Sequence, residues 1–376
     1  MRRFLVHALS WSVIFTTGEA LAADCPQAAK SLSELTAVAV AEQSEVKARA
    51  IVELCPELAE AHFQLGSTLL RLGEAANALK SFQKAAELKR DPMFLVAAGN
   101  ASVALNNLKQ AEHLYDDAVK LNPNSSKALQ GLSVIYLKQG RKAEAEEILR
   151  RAIQITPEDS GLFYNLGVLL AQSDRTDEAV ASFHAASERK SPYPEAQLQE
   201  ASLLLRIGRF DSAERIFRQL SLLDPKNPAV WLGLGSALDG AKKYAAALSQ
   251  FDKVLSLDPR NVSAKVNRGI VLTKMGRTDD AISELRALSE SEPANGQAYG
   301  ALGWALLQTR ELDTAKDALE NAVRLDPRDA FAYNNLGVLF QLRGEGEKAR
   351  ESFERARDLS PSLEEVQANL KALNEE

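Results

Sequence analysis

One spacing constrains this chain more than any local motif. Gly66, Gly99, Ser133, Gly167, Ala201, Gly235, Gly269, Gly303 and Gly337 follow one another at steps of 34 residues, after a first step of 33. Twelve residues after each stands an alanine, from Ala78 and Ala111 through Ala179 and Ala247 to Ala349, without exception. Four residues further comes a large apolar side chain: Phe82, Tyr115, Leu149, Phe183, Phe217, Phe251, Leu285, Leu319 or Phe353. Prolines close most units, at Pro123, Pro157, Pro225, Pro259, Pro293, Pro327 and Pro361. A fixed period of this length points to stacked units, because each one buries its apolar face only against its neighbours.

Within a unit the spacing predicts two helices. In the last unit Tyr333, Leu336 and Phe340 share one helical stripe, the run "RGEGE" interrupts it, and Phe353 with Ala356 marks a second stripe. Glycine costs about 1 kcal/mol against alanine inside a helix, so its recurrence predicts a close backbone approach between the paired helices. The alanine fits the same contact from the second helix. Proline supplies the stop, since it has no amide hydrogen to continue a helix and restricts the residue before it.

The units resemble tetratricopeptide repeats, helix-turn-helix modules of 34 residues that stack into a right-handed superhelix. The resemblance covers residues 57–361 in nine repeats, with Ser133 and Ala201 in place of the glycine and Arg90 and Ser191 in place of the proline. It implies an all-α fold, a right-handed α-solenoid, and a non-enzymatic scaffold for protein–protein interaction whose first helices line a concave groove. Residues 23–56 are about one repeat long, and "SEVKARAIVELCP" reads as a second helix, so a degenerate N-terminal repeat is expected there. Residues 362–376 are expected to form one charged helix that caps the stack. In a solenoid contacts run between neighbours, so a chain of 376 residues is read as one continuous domain.

The N-terminus carries a second signal. Arg2 and Arg3 precede the apolar run from Phe4 to Thr17, and Ala20 and Ala22 stand where a signal peptidase reads small residues, so residues 1–22 are expected to be a signal peptide. The run is shorter than the roughly 20 residues that a spanning helix needs. Asp24 before Cys25 disfavours a lipoprotein, and export to a bacterial periplasm, or secretion, is the expected location. The net charge is −6, and cleavage makes it one unit more negative, which argues against nucleic acid as the main partner. Cys25 and Cys55 are the only cysteines. If they open and close an antiparallel helix pair, an oxidising compartment permits a disulfide; the alternative is two unpaired thiols.

Nothing in the chain reads as a catalytic centre. His62, His113 and His184 fall in three different repeats with no acid or nucleophile in a recurring relation to them, and no phosphate loop, dinucleotide fingerprint or nucleophile elbow is present. Paired acids such as Asp279 with Asp280, or Glu146 with Glu147, are read as opening second helices, where the helix dipole favours them. No cofactor and no metal are expected.

Binding is expected on the first helices. Two residues before the repeat glycine stand Gln64, Asn165, Gln199, Asn267 and Asn335, and seven residues beyond that register stand Arg71, Lys138, Arg206 and Lys274. Amides both donate to and accept from an extended peptide backbone, and long cations meet acidic groups. The amides resemble the asparagine ladder of O-linked N-acetylglucosamine transferases, interrupted here at Ala97, Gly131, Gly233 and Ala301. The carboxylate-clamp pattern known in the family does not map: Asn100 follows Gly99, but Val96 stands where the partner lysine belongs. A protein or peptide partner is the first reading. The alternatives are a glycan-binding or polysaccharide-export scaffold, for which Trp231 and Trp304 are few and far apart, and an assembly factor for an envelope or secretion complex.

Overall fold

The structure, a computed structural model, describes Cys25 and residues 41–375. The expected signal peptide and most of the first helix of the degenerate repeat lie outside the described residues. After α1 (Ala41–Leu54) the helices come in pairs: α2 (Ala59–Arg71) with α3 (Ala75–Leu88), α4 (Pro92–Ala104) with α5 (Leu108–Leu121), α6 (Ser126–Lys138) with α7 (Lys142–Ile155), and α8 (Ser160–Ala171) with α9 (Thr176–Arg189). Five further pairs are α10 (Pro194–Arg206) with α11 (Phe210–Leu223), α12 (Pro228–Gly240) with α13 (Tyr244–Leu257), α14 (Val262–Lys274) with α15 (Thr278–Ser291), α16 (Gly296–Gln308) with α17 (Leu312–Leu325), and α18 (Ala330–Leu342) with α19 (Gly346–Leu359). The terminal helix α20 (Glu364–Glu375) stands alone. The chain divides into two compact bodies, Met1–Lys190 and Ser191–Glu376, and the division falls where Ser191 replaces the repeat proline. Over its described residues each body is a stack of α-helix pairs, an all-α solenoid.

Local chemistry explains where the helices begin and end. Asp91, Ser125, Asp159, Asn227, Asn261, Asn295 and Asp329 each accept a hydrogen bond from a backbone N–H in the first turn of the helix that follows. First helices end in a Schellman turn: the amide of Glu74 donates to the carbonyl of Leu69, that of Arg141 to Tyr136, and that of Glu345 to Phe340. The residue before that amide takes a left-handed backbone. Gly73, Gly140, Gly208, Gly276 and Gly344 do so in alternate repeats, and Asn106, Asp174, Lys242 and Arg310 do so in the repeats between them.

The recurring residues form the core. All nine repeat alanines are fully buried, and Phe82, Phe183, Phe217, Phe251 and Phe353 are at most 1% exposed. The expected backbone approach occurs at Gly66 and Gly303, where an added Cβ would lie 3.1 Å from the Ala78 carbonyl oxygen and 3.3 Å from the Leu319 nitrogen, but at every repeat glycine a side chain of the second helix lies closer still. A Cβ at Gly337 would lie 2.5 Å from the Phe353 ring, and at Gly235 2.5 Å from the Phe251 ring. The large side chain of the second helix therefore lies over the glycine of the first, and glycine is the residue that leaves room for it.

The ends follow the same register. In α1, Ser44 and Ala48 occupy the alanine and ring positions of the degenerate repeat, and both are fully buried. Cys25 and Cys55 are joined by a disulfide, with Cα atoms 6.0 Å apart. Helix α20 seals the last pair with Val366 and Leu370, and its Asn369 Nδ2 donates to Asn334 Oδ1 at 2.9 Å. No helix among the described residues is long and apolar enough to cross a membrane.

Candidate functional site

In the N-terminal body the first helices of four successive repeats line a depression of about 570 Å³. Phe63 of α2, Met93, Val96 and Val103 of α4, and Val134 of α6 make an apolar floor. Polar groups enter it from Asn100, Lys127, Gln130 and Asn165. Met93, 52% exposed, is a large apolar side chain that the fold leaves in solvent. Lys127 is the one charged residue among those lining the depression, and its ammonium already meets Asp159 Oδ2 at 2.8 Å.

The lining positions are regular. Phe63, Val96 and Gln130 stand three residues before the repeat glycine position, Asn100 and Val134 one after it, and Met93 and Lys127 six before it. Spacings of three and four place all of these on one helical face. The expected amide stripe, two residues before the glycine, runs along the border of this face.

Of the expected groove residues, Asn165 lines the depression. Gln64, Asn267 and Asn335 are half-buried on their first helices, and Gln199, Arg71, Lys138 and Arg206 are exposed. Arg71 reaches back to Thr68 Oγ1 on its own helix, at 3.4 Å. Lys274 is committed within the C-terminal body: its Nζ lies 2.8 Å from both carboxylate oxygens of Asp239, which the sequence reading did not identify. Two gaps in the amide ladder also have a structural cause. A Cβ at Gly131 would lie 2.5 Å from the Tyr115 ring, and one at Gly233 would run into Phe217, so these glycines seat the ring of the preceding repeat.

Asn100 and Tyr115 form a polar pair inside this otherwise apolar packing. The Tyr115 hydroxyl donates to Asn100 Oδ1 at 2.7 Å. Tyr115 is 2% exposed, and burial pushes its phenol up to about 12, so the hydroxyl keeps its proton at any ordinary pH.

Other polar groups are structural. His62 places Nε2 2.8 Å from the Pro56 carbonyl oxygen, and Trp231 Nε1 donates to the Pro225 carbonyl at 2.9 Å. Asp279 and Asp280 do open α15, as expected, but Glu146 sits further along α7 and bridges Arg150 to Arg175 of the next repeat. Glu112 with Arg141 and Glu214 with Lys243 tie successive repeats in the same way, at 2.9 and 2.8 Å. A smaller hollow of about 380 Å³ lies on the second-helix side of the C-terminal body, bordered by Asp279, Arg286, Glu290 and Glu311. Among the described residues there is no cluster suited to holding a metal ion.

Family models described as tetratricopeptide repeat match residues 96–160, 198–262 and 301–364, with further matches at 240–305 and 59–92. A crystal structure of a tetratricopeptide repeat protein from Parabacteroides merdae is similar at 21% identity and a TM-score of 0.62, over 66% of this chain and 99% of that one. YrrB, described as a TPR protein with an unusual peptide-binding site, matches at 24% identity and a TM-score of 0.45, over 50% of this chain and 96% of its own. A structure of MamA matches at 19% identity and a TM-score of 0.42, over 45% of this chain and 92% of its own. No curated protein matches the sequence.

Proposed function

The chain belongs to the tetratricopeptide repeat family, and from that premise we propose that it is a non-catalytic interaction scaffold that holds an extended peptide segment against the first helices of its N-terminal body. The observation that carries this reading is the depression between Phe63 and Asn165, an apolar floor with amides set into it. An extended segment suits it on two counts. Apolar side chains of the segment remove Met93, Val96 and Val134 from water, at roughly 25 cal/mol for each Å² buried. The amides of Asn100, Gln130 and Asn165 meet backbone groups whose hydrogen bonds to water are lost on docking. No carboxylate lines the floor, so apolar and neutral or acidic segments fit it better than basic ones.

The location belongs to the same proposal. A leader at residues 1–22 and a Cys25–Cys55 disulfide suit an exported protein, periplasmic in a bacterium. Cell fractionation with N-terminal sequencing of the exported form tests it: cleavage after Ala22 supports export, and a retained Met1 on a cytoplasmic protein refutes it.

The peptide reading is tested with a random 12-residue peptide library selected on the purified chain, followed by binding to three variants. Val96→Arg and Val134→Arg put a long cation on the apolar floor and are expected to abolish binding, whereas Glu351→Lys, on the second helix of the last repeat, leaves it intact. Equal binding by all three variants places the functional surface elsewhere.

A further inference from the structure

Resting on the reading of the depression as a peptide site, we propose that Tyr115 is a positioning residue, which holds Oδ1 of Asn100 so that the N–H bonds of its side chain face the depression and donate to a carbonyl or carboxylate oxygen of the bound segment. The sequence register singles out this pair. The ring position is phenylalanine or leucine in eight repeats and tyrosine in repeat 2 alone; the position after the repeat glycine is asparagine in repeat 2 alone. Two exceptions to the repeat pattern thus occur in the same repeat, and they are bonded to each other.

Packing does not require the hydroxyl. Phenylalanine fills the same position in five other repeats at 1% exposure or less, as at Phe82 and Phe183. A buried phenol adds a desolvation cost that a phenylalanine does not carry, and its hydrogen bond offsets that cost only while Asn100 accepts it. Asn100 itself is exposed and could satisfy its amide with water. The consequence of the bond is orientation. With the carbonyl end of the amide turned to a hydroxyl that stays protonated, the N–H end is turned away from Tyr115, and both residues line the depression. Lys127 of repeat 3 is engaged with Asp159, and among the repeat 2 residues that line the depression Asn100 is the one whose side-chain N–H groups are left to meet a peptide oxygen.

The experiment uses one peptide selected from the random library on the unmodified full chain. It is synthesised with a free and with an amidated C terminus, and with each backbone amide replaced in turn by an ester, whose carbonyl is a weaker acceptor. Asn100→Ala is expected to weaken binding about tenfold, the size of one hydrogen bond. Tyr115→Phe is expected to weaken it about three- to tenfold with its melting temperature held, since the ring seat is kept. The double variant should bind no more weakly than Asn100→Ala alone. One ester, or the amidation, should weaken binding to the parent and have no effect on Asn100→Ala. An ester effect identifies a main-chain carbonyl, and an amidation effect identifies the terminal carboxylate. If Tyr115→Phe binds like the parent, or weakens binding as much in the Asn100→Ala background, Tyr115 does not act through Asn100 and the inference fails while the peptide site stands. If Val96→Arg also binds like the parent, the peptide site itself is wrong.

Discussion

Arg310 sits at the turn of its repeat with φ at +64°, where alternate repeats carry glycine. Replacing a helical-repeat residue by glycine ordinarily destabilises; here the opposite is expected. A left-handed backbone costs an L-residue roughly 1–2 kcal/mol. Glycine removes that strain but gives back about 0.5–1 kcal/mol through the greater freedom of the unfolded chain. Arg310→Gly is therefore expected to stabilise by about 0.5–1 kcal/mol, and Lys242→Gly, at φ +60°, by a similar amount. Both side chains are exposed, and the turn hydrogen bond from Glu311 N–H to the Leu306 carbonyl uses backbone alone, so little else is lost. The two sites are in different repeats of the C-terminal body, and their effects should add to about 1–2 kcal/mol in the double variant. Denaturant unfolding gives the total, and native-state hydrogen exchange in α16 and α17 assigns the Arg310 share to its own repeat. The reverse change, Gly276→Ala at φ +77°, should destabilise by about 1 kcal/mol. A loss of stability in Arg310→Gly, or no effect in Gly276→Ala, would falsify the assignment of strain to these turns.

Three further outcomes are expected. Ala247 is fully buried between helices, and Ala247→Leu should cost roughly 1–3 kcal/mol by overpacking, read by thermal unfolding, with faster hydrogen exchange in the adjoining repeats. Lys243 hydrogen-bonds Glu214 and holds its carboxyl below the usual carboxylate range. A depressed folded pKa gives stability that is present above the unfolded value, about 4.3, and is lost as pH falls through the folded one, so the C-terminal body should weaken in acid and Glu214→Gln should flatten that part of the profile. Reducing the Cys25–Cys55 bond, which closes a loop with a sequence separation of 30, should lower the stability of the N-terminal repeat by about 3 kcal/mol. Unfolding with and without reductant checks this; identical curves would exclude a stabilising role.

The period, the helix pairs and the fully buried alanines were all legible in the sequence, because packing fixes those positions identically in each repeat. The physical reason for the glycine was legible only in part. Spacing shows that a small residue recurs, but not that the Phe353 ring rather than a backbone lies against Gly337. The left-handed turn was also hidden, since the residues that adopt it alternate between glycine and asparagine, aspartate, lysine or arginine. At the candidate site, choosing a stripe by residue type selected the recurring amides. That register does reach the depression, at Ala97, Gly131 and Asn165, but the lining also takes in the neighbouring position, occupied by residues as unlike as Phe63, Val96 and Gln130. Their variety is the signal that a search for recurrence passes over.

That variety has a consequence for where recognition resides. Positions that touch the neighbouring repeat are held to alanine, glycine or a large apolar side chain, and cannot encode a partner. Positions facing the depression are held less tightly, although Phe63 still meets Phe94 of the next repeat, and they differ more from repeat to repeat. In the C-terminal body some polar groups on first helices are already paired: Lys274 with Asp239, and Asn334 with Asn369 of the terminal helix. Repeat 2 differs, because a residue from the constrained set, Tyr115, carries a hydroxyl that packing does not need, and it spends that hydroxyl on Asn100, a residue from the less constrained set. The bond links the rigid part of the repeat to the variable part. An exposed asparagine on a helix would otherwise sample several rotamers and lose part of its binding energy to ordering. Held from below by a buried ring, its N–H groups are set before the segment arrives, which is the advantage a preorganised donor has over a flexible one.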